Sequence, residues 1–109
     1  MDKIPESVKD IINQYIQKVS KEIKIEKVIL FGSYAKGTTH QYSDVDLAVF
    51  SDNFKNSSRI ENLKFLILKA MDFDLDLEPQ PFTVDDYLNP EGFVEEIIRT
   101  GIEISSIKN

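Results

Sequence analysis

The sequence predicts one small α/β (α+β) domain with helices packed against a sheet. Three observations lead there. The chain has 109 residues, which is one domain by length. Two long stretches carry apolar residues at three- and four-residue spacing, the period of a helix with one buried face. Between and after them stand three short apolar or alternating runs, 27–31, 44–50 and 72–78, which read as strands. The order is helix, strand, strand, helix, strand, helix, helix. No repeat, linker or low-complexity tract interrupts it.

The first helix is expected from Pro5 to about residue 24, with Val8, Ile11, Ile12, Tyr15, Ile16, Val19 and Ile23 on its apolar face. Pro5 suits a first helical turn. Val28, Ile29, Leu30 and Phe31 form a continuous apolar run, the mark of a strand buried on both faces. It stops at Gly32-Ser33, which opens a helical turn. Asp44 to Phe50 begins by alternating and ends apolar, so it reads as a second strand. Ser51 to Ser58 is polar and turn-rich. Residues 59–71 form the second long helix, with Ile60, Leu63, Phe65, Leu66, Ile67, Ala70 and Met71 on a broad apolar face. Asp72 to Glu78 alternates strictly, and Pro79 and Pro81 are expected to end or edge that strand. Thr83 and Asp86 have capping-box spacing. Asn89-Pro90 reads as another helix start, with Phe93, Val94, Ile97 and Ile98 as its buried face and Gly101 as its C-terminal cap. Ile102, Ile104 and Ile107 suggest a last short strand.

Composition narrows the chemistry. There is no cysteine, which removes disulfides, thiolate zinc sites and a cysteine nucleophile. One histidine, His40, is too few for a multi-histidine metal site in one chain. The net charge of −6 argues against direct nucleic-acid binding, which needs a basic surface. It is compatible with metal ions that bridge carboxylates to a phosphorylated ligand. No apolar run has the length of a membrane span and the N-terminus lacks an apolar signal region, so a cytoplasmic protein is expected.

The informative stretch is 32–46. Glycine lets a backbone approach a ligand closely, and N–H groups at a helix start favour anions. Gly32-Ser33 therefore makes a cradle for triphosphate oxygens, with Lys36 nearby to offset charge. Alone, a Gly-Ser pair after a strand is more simply a turn. Asp44 and Asp46 add weight, because two residues apart on a strand they project from one face. Like charges so placed repel unless a cation lies between them, and magnesium is commonly held by one or two carboxylates plus substrate phosphates. The plainer alternative is a polar edge strand with two solvated aspartates. Asp76 is the third piece. If its strand pairs beside Asp44–Phe50, three carboxylates from two strands can hold two metal ions for an in-line phosphoryl displacement. Alternation does not choose among Asp74, Asp76 and Glu78, which share a face, and Asp72 is read as a cap of the preceding helix.

Other motifs fail on detail. Thr38 stands where a Walker loop needs lysine, and Leu77 stands where a calcium loop needs glycine. Ser33 with His40 lacks the strained elbow of a triad enzyme. His40 reads as a solvated loop residue. Tyr34 and Tyr42 flank the motif and suit either a base or acceptor pocket or a structural role. Arg59 reads as a solvated charge.

Gly32-Ser33, ten intervening residues, then Asp44-Val45-Asp46 resembles the nucleotidyltransferase signature Gly-Ser-x10-Asp-x-Asp. The runs Phe31-Gly32-Ser33-Tyr34-Ala35-Lys36-Gly37 and Ser43-Asp44-Val45-Asp46-Leu47 look like the polymerase-β-type superfamily. Its short members are the minimal nucleotidyltransferases (MNT), found beside HEPN proteins in prokaryotic toxin–antitoxin pairs. The segment Asp76-Leu77-Glu78-Pro79 looks like the third-carboxylate strand of that group. Lys36 departs from the arginine of many relatives, keeping the charge but losing bidentate phosphate contact.

The resemblance implies a mixed sheet with helices packed on it, and a catalytic domain over residues 1–109. It implies that Gly32 and Ser33 hold the β- and γ-phosphates, that Asp44 and Asp46 bind two Mg2+ ions, and that Asp76 binds the catalytic metal and helps deprotonate the acceptor. Larger relatives carry an added helical domain, for which this chain leaves no residues, so the acceptor is expected from a partner or a second copy. The leading expectation is an MNT-type (MntA-like) antitoxin that moves AMP from ATP to a hydroxyl, a tyrosine, on a HEPN ribonuclease toxin. Beside it stand a non-catalytic module that neutralises by occlusion and a small-molecule, aminoglycoside-type nucleotidyltransferase.

Overall fold

The computed structural model describes residues 4–37 and 44–104. Helix α1 spans Glu6–Ser20 and strand β1 Lys27–Phe31; a one-turn helix α2, Ser33–Lys36, follows. Strand β2 is Val45–Phe50, a 3-10 turn covers Asp52–Asn56, and helix α3 runs Arg59–Ala70. Strand β3 is Leu77–Phe82, α4 Val84–Leu88, α5 Gly92–Thr100, and β4 Ile102–Glu103. The sheet order is β3-β2-β1-β4. β1 pairs antiparallel with β2 and β4, whereas β2 and β3 are parallel, joined by α3 as crossover. The expected mixed sheet with packed helices is therefore present. Among the described residues no helix is long and apolar enough to cross a membrane.

Strand alternation divides the interior in two. Val28 and Leu30 of β1 and Val45, Leu47 and Val49 of β2 point to one face, under Ile12, Tyr15, Ile16 and Val19 of α1 and Leu66 and Ala70 of α3. Ile29, Ala48, Phe50 and Phe82 point to the other, under Ile97 of α5. This is why the 28–30 run is apolar without a break. The Tyr15 hydroxyl donates to the Leu66 carbonyl at 2.8 Å, tying α1 to α3 inside the first layer, and burial pushes its pKa up. Tyr15→Phe is expected to cost about 1 kcal/mol in a denaturant titration, the worth of one buried hydrogen bond. An unchanged midpoint would refute that role.

Four expectations are corrected. The third strand begins where the alternating run ends and contains Pro79 and Pro81, so of the two expectations for these prolines, ending the strand or edging it, the second holds. β3 is an edge strand, so prolines fit if their backbones face away from β2. They do: Val45 N–H donates to the Asp76 carbonyl and Ser51 N–H to that of Phe82, so even-numbered residues face β2 and Pro79 and Pro81 face outward. Arg59 is not a solvated charge; it donates to the Pro81 carbonyl and the Gln80 side chain, both at 2.7 Å, and lies over the Phe82 ring. Asp72 does not cap α3, whose C-cap is Met71, but pairs with Lys18 of α1. Pro90 does not open a helix: Asn89 closes α4 by donating to the Asp85 carbonyl, and α5 starts at Gly92. The Thr83–Asp86 capping box is present in both directions. The reading of Ile107 lies outside the described residues.

Candidate active site

β1 delivers its last residue, Phe31, opposite Asp46 in the antiparallel ladder. The chain then turns at Gly32, with φ 76° and ψ −151°, a region open in practice only to glycine. A Cβ on Gly32 would stand 2.2 Å from Asp46 Oδ2 and 3.1 Å from its Cγ. The bare backbone of the turn therefore lies directly on the Asp46 carboxylate. Ser33 starts α2, whose first turn has N–H groups with no helical partner, as at any helix start. Lys36 ends α2, exposed, and Gly37 closes it in the left-handed region at φ 74°.

Asp44 is exposed just before β2 and Asp46 is half-buried as its second residue. Parallel pairing sets Asp46 opposite Glu78 on β3. Residues opposite one another on adjacent strands project to one face. Burial, then the Glu78 charge, then the Asp44 charge push the Asp46 carboxyl above its ordinary value. The corner is thus short of positive charge. Asp76 is exposed one register step before β3, and its carbonyl accepts the Val45 N–H at 2.8 Å, locking the start of the parallel ladder. Asp74 is exposed in the bend before it. Alternation leaves Asp74, Asp76 and Glu78 equivalent; strand register, invisible in the sequence, puts Glu78 beside Asp46.

Gly32, Asp46, Asp44 and Glu78 thus share one corner, with Ser33 on the adjoining turn. Tyr34 turns away and packs against the core under α1. His40 and Tyr42 lie outside the described residues. Among the described residues, no three His, Cys, Asp or Glu side chains form a ready metal cage. A hard cation does not require one, since phosphate oxygens and water complete the shell around one or two carboxylates. Oxygen-only donors with unbalanced negative charge fit magnesium.

The family model described as polymerase beta, nucleotidyltransferase matches residues 12–109. The chain is 44% identical over 55 residues to protein adenylyltransferase MntA of Shewanella oneidensis, a match covering 50% of this chain and 39% of that protein. It is 41% identical over 59 residues to a Methanocaldococcus jannaschii protein provisionally named as a protein adenylyltransferase, covering 52% of this chain and 40% of the other. The matches therefore span about two-fifths of the curated relatives' length. A crystal structure from Sulfolobus solfataricus aligns with TM-score 0.64 at 13% identity over 86% of this chain and 76% of that one, a likeness of fold. A crystal structure of a toxin-antitoxin with AMP-PNP aligns with TM-score 0.52 at 27% identity over 84% and 70%. Because the family model takes in everything from the middle of α1 onward, including the turn and its facing carboxylates, the chain belongs to the polymerase beta nucleotidyltransferase family.

Proposed function

We propose that this chain moves AMP from ATP, with magnesium, onto a hydroxyl of a toxin protein, a tyrosine of a HEPN ribonuclease, and so acts as an antitoxin. The observation that carries the nucleotide part is the contact between the Gly32 backbone and the Asp46 carboxylate. Phosphate oxygens on the turn and a cation on the carboxylates are then neighbours without any rearrangement. The naming of the Shewanella relative and the toxin-antitoxin neighbour support the acceptor class.

In this reading Gly32 and Ser33 hold the β- and γ-phosphates through backbone N–H groups and the Ser33 hydroxyl, and Lys36 offsets charge. Asp44 and Asp46 hold the magnesium, which supplies charge neutralisation at the reacting phosphate. Glu78 is the third carboxylate that the register favours, with Asp76 one step away. The acceptor oxygen bonds to the α-phosphorus as the bond to pyrophosphate breaks, and the hydroxyl proton passes to a site carboxylate. The protein's part is positioning and charge.

The test incubates the chain, magnesium and α-labelled ATP with a HEPN ribonuclease toxin. Label on a toxin tyrosine is the expected result; none with active toxin refutes the reading. In the same assay Glu78→Gln is expected to lower the rate about 100-fold, from loss of roughly 3 kcal/mol of charge stabilisation. Asp76→Asn is expected to lower it less. The reverse order would return the role to Asp76.

A further inference from the structure

Periodicity assigns Phe93 to the buried face of α5, yet 59% of it is exposed. Ile97 is buried, and Val94 and Ile98 pack against the same core cluster, so α5 is held without Phe93. Its ring instead meets Phe31 edge to face, with centroids 5.7 Å apart and planes at 83°. Phe31 is both the strand partner of Asp46 and the residue before Gly32. An open aromatic face thus begins one strand away from the carboxylates, at the entrance to the phosphate turn. On the opposite flank of Asp46 stand Glu78 and then Gln80, which Arg59 holds, so that side is polar. Single exposed apolar residues are ordinary, but an aromatic pair rimmed by the polar groups of a candidate site has the character of a ligand-binding surface.

We propose that Phe93, backed by Phe31, is the platform on which the nucleobase of the bound triphosphate stacks. The inference rests on the nucleotide site proposed above. A base is tied to its phosphates by a short covalent tether. With those phosphates on Gly32-Ser33, it must lie close by, and Phe31 joins that turn directly. The perpendicular Phe31 ring holds Phe93 in place, and Phe93 stays open enough to stack on. Such a face reads planarity rather than hydrogen-bond pattern, so it adds affinity for any base more than choice among bases.

The experiment is calorimetric titration of magnesium ATP and of magnesium tripolyphosphate, which lacks a base, into wild type, Phe93→Ala and Phe93→Tyr. Wild type is expected to bind ATP more tightly than tripolyphosphate. Phe93→Ala should lose about tenfold or more in ATP affinity and keep its tripolyphosphate affinity, while Phe93→Tyr keeps both. Unchanged ATP binding in Phe93→Ala would overturn the platform and leave the ring to the acceptor. A parallel loss of both ligands would also overturn it, by showing that the ring only shapes the site. Binding of neither ligand by wild type is a separate result, which removes the nucleotide site itself and the platform with it.

Discussion

Gly32→Ala is expected to leave a folded protein that no longer binds magnesium and ATP together. Two effects act at once. The backbone at φ 76° and ψ −151° is strained for any residue with a side chain, by about 1–3 kcal/mol. The new methyl would also stand 2.2 Å from Asp46 Oδ2. The aspartate side chain is short, so its carboxylate must swing off the turn, and the two halves of the site separate. A melt would show moderate destabilisation, and calorimetry would show loss of nucleotide affinity well beyond what that destabilisation explains. Magnesium-dependent ATP binding at the wild-type level would sink this account of the corner.

Asp46→Asn is expected to do two opposite things. Nucleotide binding with magnesium should fall about 100-fold, because a ligand charge facing the cation is gone. Thermal stability in metal-free buffer at pH 7 should rise. The sign follows from linkage. Burial, Glu78 and Asp44 raise the folded pKa of Asp46 above its unfolded value, so the folded state binds more protons. Stability then falls as pH climbs through the window between the ordinary aspartate value and the raised one, and stays lower above it. A neutral asparagine escapes that loss. Melts of both proteins should converge as pH drops below the ordinary aspartate range and separate as it rises. A variant that melts below wild type at pH 7 would contradict the argument. Function and stability pull against each other at this one side chain.

Much of the molecule was readable along the chain because its signals are local. The face of α1, the unbroken apolar run of β1 and the Gly-Ser turn before Asp44 and Asp46 all follow from spacing within a few residues, whereas the broad face read onto α3 is only partly right: Leu66 and Ala70 are buried, but Ile60, Ile67 and Met71 are exposed. What failed depended on neighbours distant in sequence. The run from Asp72 to Glu78 has strand periodicity, yet only its end joins the sheet, because hydrogen bonding to β2 begins at the Asp76 carbonyl. Spacing leaves Asp74, Asp76 and Glu78 equivalent, and which of them stands opposite Asp46 is set by the register of a parallel pair, which no spacing encodes. Arg59 looked solvated because its acceptors lie 21 and 22 residues away on β3. Phe93 fitted the helical pattern of α5, but the cluster on that side of the sheet is filled by Val94, Ile97 and Ile98. An apolar residue can satisfy a period and still have no room in the core.

The prolines of β3 have a consequence for molecules meeting one another. With Pro79 and Pro81 facing outward, the outer flank of that strand has no N–H to offer at two of its three positions. Arg59 has already taken the Pro81 carbonyl. A strand from a neighbouring molecule finds no ladder to extend there, so one border of the sheet is closed to lateral polymerisation. Among the described residues the other border, β4, is two residues long. The residues that disguise this strand in the sequence are the ones that close this border to a neighbouring strand.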